Sequence, residues 1–84
     1  MSTHPTHIGA IVRKERKLLE LRQDELAAAS GVGLRFLVEL ERGKPSVQLD
    51  KVLAVLEALG CDLEVRTPEG VTMKVVAPQS GQGA

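Results

Sequence analysis

The stretch from Gln23 to Arg42 constrains the fold of this chain more than any other. It reads as two short helices joined by one tight turn. Ala27 is small where two helices must approach closely, and Gly31 supplies the positive φ that a sharp turn requires. Val32, Leu37 and Leu40 follow as apolar plugs. This set of offsets locks two helices against each other at a steep angle.

The remaining 64 of the 84 residues have to support that unit. A chain this short makes one domain and buries little apolar surface, so a homodimer is the default expectation. Leu, Val, Ile and Ala carry nearly all the apolar content and Phe36 is the only aromatic residue, which suits small helices packed closely. No apolar run is long enough to span a bilayer. The N-terminal residues lack the basic and apolar segments of a secretory signal, and a cytoplasmic protein is expected. Cys61 is the sole cysteine, so a half-buried free thiol is expected rather than a disulfide or a cysteine-based zinc site. His4 and His7 have no third ligand nearby and read as part of a polar terminus, with no metal or cofactor expected.

Eleven basic residues balance eleven acidic ones, so total charge does not announce a polyanion as partner. The distribution is mildly asymmetric. Residues 1–51 hold nine basic and seven acidic groups, and residues 52–84 hold two and four.

In chain order, residues 1–7 form a flexible N-terminus, with Thr6 as N-cap for the first helix. Ile8, Ile11, Val12, Leu18 and Leu19 recur at helical spacing, while Arg13, Lys14 and Lys17 form a wet basic side. Arg22 is a poor N-cap for the next helix, although Asp24 and Glu25 favour the positive end of its dipole. Leu26, Ala27 and Ala29 give that helix a narrow apolar face, and Ser30-Gly31 ends it. The third helix stops at Arg42-Gly43. After the loop Lys44-Pro45-Ser46, a fourth helix runs from Val47 or Leu49 to Leu59, with Leu49, Val52, Leu53, Leu56 and Leu59 on one face.

Beyond Gly60 the period becomes alternating. Cys61, Leu63 and Val65 point one way, and Asp62, Glu64 and Arg66 the other. Thr67-Pro68-Glu69-Gly70 reads as a reverse turn before a second alternation at Val71, Met73 and Val75. One strand or a hairpin fits. Because an isolated hairpin is marginal in water, pairing with a second subunit is expected, through Leu56, Leu59, Leu63 and Val65. Residues 61–76 are therefore the dimerisation segment, and residues 77–84 a disordered tail. The fold class is mainly α, with four to five helices and a short C-terminal strand or hairpin. No catalytic constellation of Ser/His/Asp, Cys/His or paired carboxylates is evident, so an enzyme is not expected.

Through Leu21 to Ala27 and Glu39 to Lys44, residues 8–60 resemble the lambda-repressor-like Xre or Cro/CI-type helix-turn-helix repressors. The run from Glu41 to Leu53, then Leu56 to Gly60 and a terminal strand, is most similar to HipB-type antitoxins. That resemblance implies a dimer that represses its own operon at a palindromic site and binds a HipA-type serine/threonine kinase toxin. Arg16 and Glu41 match the internal ion pair of phage repressors of this family. Gln23 matches a phosphate-contacting glutamine at a helix N-terminus, and Arg22, Arg42 and Lys44 suit phosphates as well.

Gly33, Leu34, Arg35, Val38 and Glu39 match the base-facing positions. Arg35 suits guanine O6 and N7, Glu39 suits cytosine N4, and Leu34 and Val38 suit a thymine methyl. Gly33 departs from the Ser or Thr cap usual in the family. Leu34 and Phe36 make the recognition helix unusually apolar and leave it open whether they face DNA, the core or a partner. A phage-type repressor, a restriction-modification controller, or a protein-interaction module with little DNA affinity are the other readings.

Overall fold

A computed structural model describes residues 7–45 and 48–76. Four helices and one hairpin follow in order: α1 (Ile8–Leu18), α2 (Gln23–Ser30), α3 (Leu34–Glu41), α4 (Leu49–Ala58), β1 (Leu63–Arg66) and β2 (Thr72–Val75). The expectations for Thr6, for Ser46-Val47 and for the segment 77–84 fall outside the described residues. No described helix is long and apolar enough to cross a membrane.

The core gathers one stripe from each helix. Val12, Leu26, Leu37 and Val55 have no exposed surface, and Ala27, Leu40, Val52, Leu56 and Leu59 are buried around them. Each fully buried Leu or Val contributes on the order of 1.5–3 kcal/mol relative to an exposed one. Phe36 packs against this core from α3, and Lys51 of α4 places its ammonium 5.6 Å from the ring centroid. The aromatic ring therefore belongs to the α3–α4 contact.

The buried face of α1 differs from the one that apolar spacing suggests. It is Gly9, Val12 and Arg16, whereas Ile11, Leu18 and Leu19 are 40%, 66% and 53% exposed. Gly9 explains the rotation. A Cβ there would lie 1.7 Å from the Leu40 carbonyl oxygen, so the missing side chain lets α1 settle directly on the α3 backbone. At the start of α1 the His7 imidazole accepts a 3.1 Å hydrogen bond at Nδ1 from the Ala10 N–H. In α4, Leu49 is exposed, as is Ala29 in α2.

Each helix ends with a backbone reversal that satisfies its last carbonyls. In α2, Gly31 adopts φ 75°, and the Val32 N–H bonds to the Ala27 carbonyl at 3.1 Å. The α1 reversal uses Glu20, a non-glycine residue at φ 59°.

The two strands pair with each other, antiparallel, with Leu63 opposite Val75 and Val65 opposite Met73. Thr67 closes the turn, its N–H bonding to the Val71 carbonyl and its Oγ1 accepting from the Val71 N–H. Each strand thus uses one edge for its partner in the chain, and a hairpin, one of the two forms expected for this segment, is present. Leu56 and Leu59, expected at a dimer contact, are instead core residues with 5% and 8% of their surface exposed. They have almost nothing left to offer a partner, because the hairpin and α2 leave α4 facing inward.

Candidate nucleic-acid interface

The α2–turn–α3 unit is held from beneath by one polar network. Glu41, at the end of α3, receives Arg16 Nε at 2.7 Å and a second Arg16 nitrogen at 3.0 Å. The same guanidinium donates to the Leu21 carbonyl at 2.8 Å. Gln23 Nε2, from the first residue of α2, donates to Glu41 at 3.0 Å. One carboxylate thereby ties α1, the α1–α2 connection, α2 and α3 together. Glu41, through its hydrogen bond and then its charge, holds the Arg16 pKa above its ordinary value against the opposing effect of burial. Every buried side-chain polar atom among the described residues has a partner.

Packing continues above that network. Ala27 is buried where α2 meets α3, and Ser30 Oγ bonds back to the Leu26 carbonyl at 2.8 Å. Leu37 and Leu40 turn inward, and Val32 packs against the core from the turn. Gly33 precedes α3 without a side-chain cap, and the first bond of the helix is Leu37 N–H to the Gly33 carbonyl at 3.2 Å. The helix start is thus held by its neighbours rather than by its own cap.

Outward, α3 presents Leu34, Arg35, Val38 and Glu39. The Arg35 side chain is 92% exposed, Leu34 is 47% exposed, and Val38 is half-buried. Arg35 lies 3.5 Å from Glu39, which also meets Lys44 Nζ at 3.3 Å. The Lys44 hydrogen bond, followed by the charges of Lys44 and Arg35, holds the Glu39 carboxyl below its ordinary range. The two candidate base-reading side chains are thus paired with each other.

A helix-turn-helix family model matches residues 12–66. The chain belongs to the helix-turn-helix family of Xre/Cro/CI type. It is 58% identical over 64 residues to a Sinorhizobium fredii (strain NBRC 101917 / NGR234) protein described as an uncharacterized HTH-type transcriptional regulator. That alignment covers 76% of this chain and 84% of the relative. The family is one of DNA-binding transcriptional regulators, and double-stranded DNA is the ligand that membership implies.

On this helix-turn-helix, the side chains singled out for phosphates differ in how free they are. Arg22 is bound to Asp24 at 3.0 Å and lies 3.7 Å from Glu25. Its backbone N–H also donates to Glu25 at 2.8 Å, the half of a capping box that an arginine can make. Lys44 is bound to Glu39, and Gln23 has one amide hydrogen committed to Glu41. Arg42 is exposed and lies in no ion pair among the described residues. Sequence reasoning left Arg13 on a generic basic side of α1, yet it lines a cleft with Gln23, Val38, Glu41 and Arg42. The spacing to Arg16, one helical turn on, is the signal that places it beside Glu41.

Cys61 is a half-buried free thiol whose pKa is pushed up by burial and by the nearby Glu15 and Asp62 charges. No group of three or more His, Cys, Asp or Glu residues is arranged to hold a metal among the described residues. Of the residues expected at a dimer contact, Leu63 is half-buried against the core and Val65 is 50% exposed.

Proposed function

We propose that this protein is a sequence-specific repressor that binds a palindromic site in double-stranded DNA as a homodimer, with α3 in the major groove. The outward face of α3 carries the reading. Arg35 stands almost fully exposed on a helix that is anchored on its other side by Leu37, Leu40 and Glu41. A guanidinium so placed can reach O6 and N7 of guanine bidentately, while Glu39 accepts from cytosine N4. Both exchange their mutual 3.5 Å contact for base edges on binding. Leu34 offers apolar contact to a thymine methyl.

The hairpin supports the dimer. Register places Leu63, Val65, Met73 and Val75 on one face, where Val65 and Met73 are 50% and 52% exposed. A palindrome requires the two α3 helices of such a dimer to lie about one DNA turn apart. The finer reading is that of an antitoxin that autoregulates its operon and binds a HipA-type serine/threonine kinase. The run Glu41 to Leu53, Leu56 to Gly60 and the hairpin after it support it. A protein-interaction module with little DNA affinity is the second reading, favoured by balanced charge and by the exposure of Leu34.

Arg35→Ala separates these readings. Binding is measured to a duplex and to variants with each base pair changed. Loss of discrimination at one G·C pair, costing about 1–3 kcal/mol, supports base reading by Arg35. Uniform weakening of all duplexes makes Arg35 a phosphate contact. Wild-type affinity no better than for random DNA supports the interaction module.

A further inference from the structure

We propose that Arg13 and Arg42 hold a single DNA backbone phosphate between them, in a cleft where α1 meets the α2–α3 unit. The proposal rests on the DNA-binding reading above. It adds a residue of α1 to the interface and assigns two separate helices to one phosphate.

The cleft has a volume of about 290 Å³ and is lined by Arg13, Gln23, Val38, Glu41 and Arg42. The acidic member of this set does not oppose an anion. Glu41 has a side chain only 3% exposed, and both its oxygens are held by Arg16. Its charge is offset by Arg16, which leaves Arg13 and Arg42 as the cationic side chains lining the cleft.

Neither arginine is committed to a carboxylate among the described residues, a state they share with Lys14 and Lys17 on α1, but of these four only Arg13 and Arg42 line the cleft. Arg16, Arg22, Arg35 and Lys44 each lie within ion-pair distance of a carboxylate, whereas neither Arg13 nor Arg42 does among the described residues. No side-chain hydrogen bond among the described residues engages either. A guanidinium presents a planar fork of donors that suits phosphate oxygens, and two forks lining one cleft can share the charge of one phosphodiester. Gln23 lines the same cleft. Its Nε2 donates to Glu41 at 3.0 Å with one hydrogen, and the amide retains a second. The Glu41 bond fixes that carboxamide in place.

Position agrees with chemistry. When the second helix of the motif lies in the major groove, the first crosses the sugar-phosphate backbone, and Gln23, which shares the cleft with Arg13 and Arg42, begins that helix. Arg42 ends α3, and Arg13 lies midway along α1 beside it. Contacts of this kind fix register without reading sequence.

The test uses the full chain and the tightest duplex recovered from a random pool with the wild-type protein. Each backbone phosphate of that duplex is replaced singly by a neutral methylphosphonate. Wild type is expected to lose affinity at a small set of positions. Arg13→Ala and Arg42→Ala should each bind the unmodified duplex about tenfold more weakly at about 0.1 M salt. Both should also become insensitive to methylphosphonate at the same position. Arg13→Lys, which keeps charge but loses the fork, should restore sensitivity there in part. Both arginines are exposed, so circular dichroism melting should match wild type. Loss of sensitivity at two different phosphates, or unchanged sensitivity throughout, overturns the shared clamp while leaving DNA binding intact. If no duplex is enriched by wild type, the DNA-binding reading fails and the clamp with it.

Discussion

Replacing Arg16 with methionine keeps most of the side chain's length and removes its charge from the network under the helix-turn-helix. The Arg16 and Glu41 side chains are 9% and 3% exposed and meet at 2.7 Å, so the pair is shielded from solvent. Removing one partner of a buried pair costs about 3–5 kcal/mol, mostly because the other charge is stranded. Two secondary effects oppose each other: Gln23 continues to donate to Glu41, and the Leu21 carbonyl loses its donor. Each is worth about 1 kcal/mol, and they offset. A domain of this kind is stable by roughly 0.1 kcal/mol per residue, about 8 kcal/mol over 84 residues. Arg16→Met should therefore remove about half of the stability. Urea unfolding followed by far-ultraviolet circular dichroism at fixed protein concentration reads this as a midpoint near half the wild-type value at similar slope. The double variant Arg16→Met/Glu41→Leu should recover most of the loss, because no charge is then stranded. A single-variant loss below about 1 kcal/mol, the range of surface pairs, would refute the reasoning. So would a double variant whose loss is the sum of the singles.

Gly9→Ala sets two effects of opposite sign against each other: helix propensity favours alanine by about 1 kcal/mol, and the added Cβ would sit 1.7 Å from the Leu40 carbonyl oxygen. Overpacking against backbone should win, with a net loss of about 2 kcal/mol or more in thermal or urea unfolding; a stabilised variant would mean that α1 does not seat on α3 in this way. For Glu39, whose carboxyl is held low by Lys44 and then Arg35, the stabilisation is present above the unfolded value of about 4.3 and is lost as pH falls through the folded value. Glu39→Gln should accordingly flatten the acid limb of melting temperature against pH, and parallel curves for the two proteins would contradict the pairing. Val65→Lys charges a half-exposed position on the hairpin face; under the proposed dimer, sedimentation should find dimers of wild type and monomers of the variant with unchanged helix content, and equal masses for the two would contradict that face as the contact.

The α2–α3 unit was legible because its determinants are local. Ala27, Leu37 and Leu40 carry their burial in their spacing, and Gly31 carries its positive φ in its identity. The buried stripe of α1 was not, because a glycine inside a helix reads as weakness until the partner backbone that occupies its missing Cβ is in place. The same dependence on tertiary neighbours hid Arg13, which becomes part of a cleft only when α1 lies across α3. It also moved Leu56 and Leu59 from an expected subunit contact into the core. An alternating pattern such as Leu63-Glu64-Val65-Arg66 sets which side chains share a face but not which strand pairs with it. The Thr67–Gly70 turn decides that by bringing β2 back onto β1. For α3, the sequence placed Arg35 and Glu39 outward, while the bridge from Glu39 to both Arg35 and Lys44 emerged only with side-chain geometry.

The central claim is that the outward face of α3 reads DNA sequence. Fluorescence anisotropy at physiological salt, with a duplex from upstream of this chain's own gene and a scrambled duplex of equal length, tests it most directly. The upstream duplex should bind at least about a thousandfold more tightly, with affinity falling steeply as salt rises. Equal affinities for the two duplexes would contradict it.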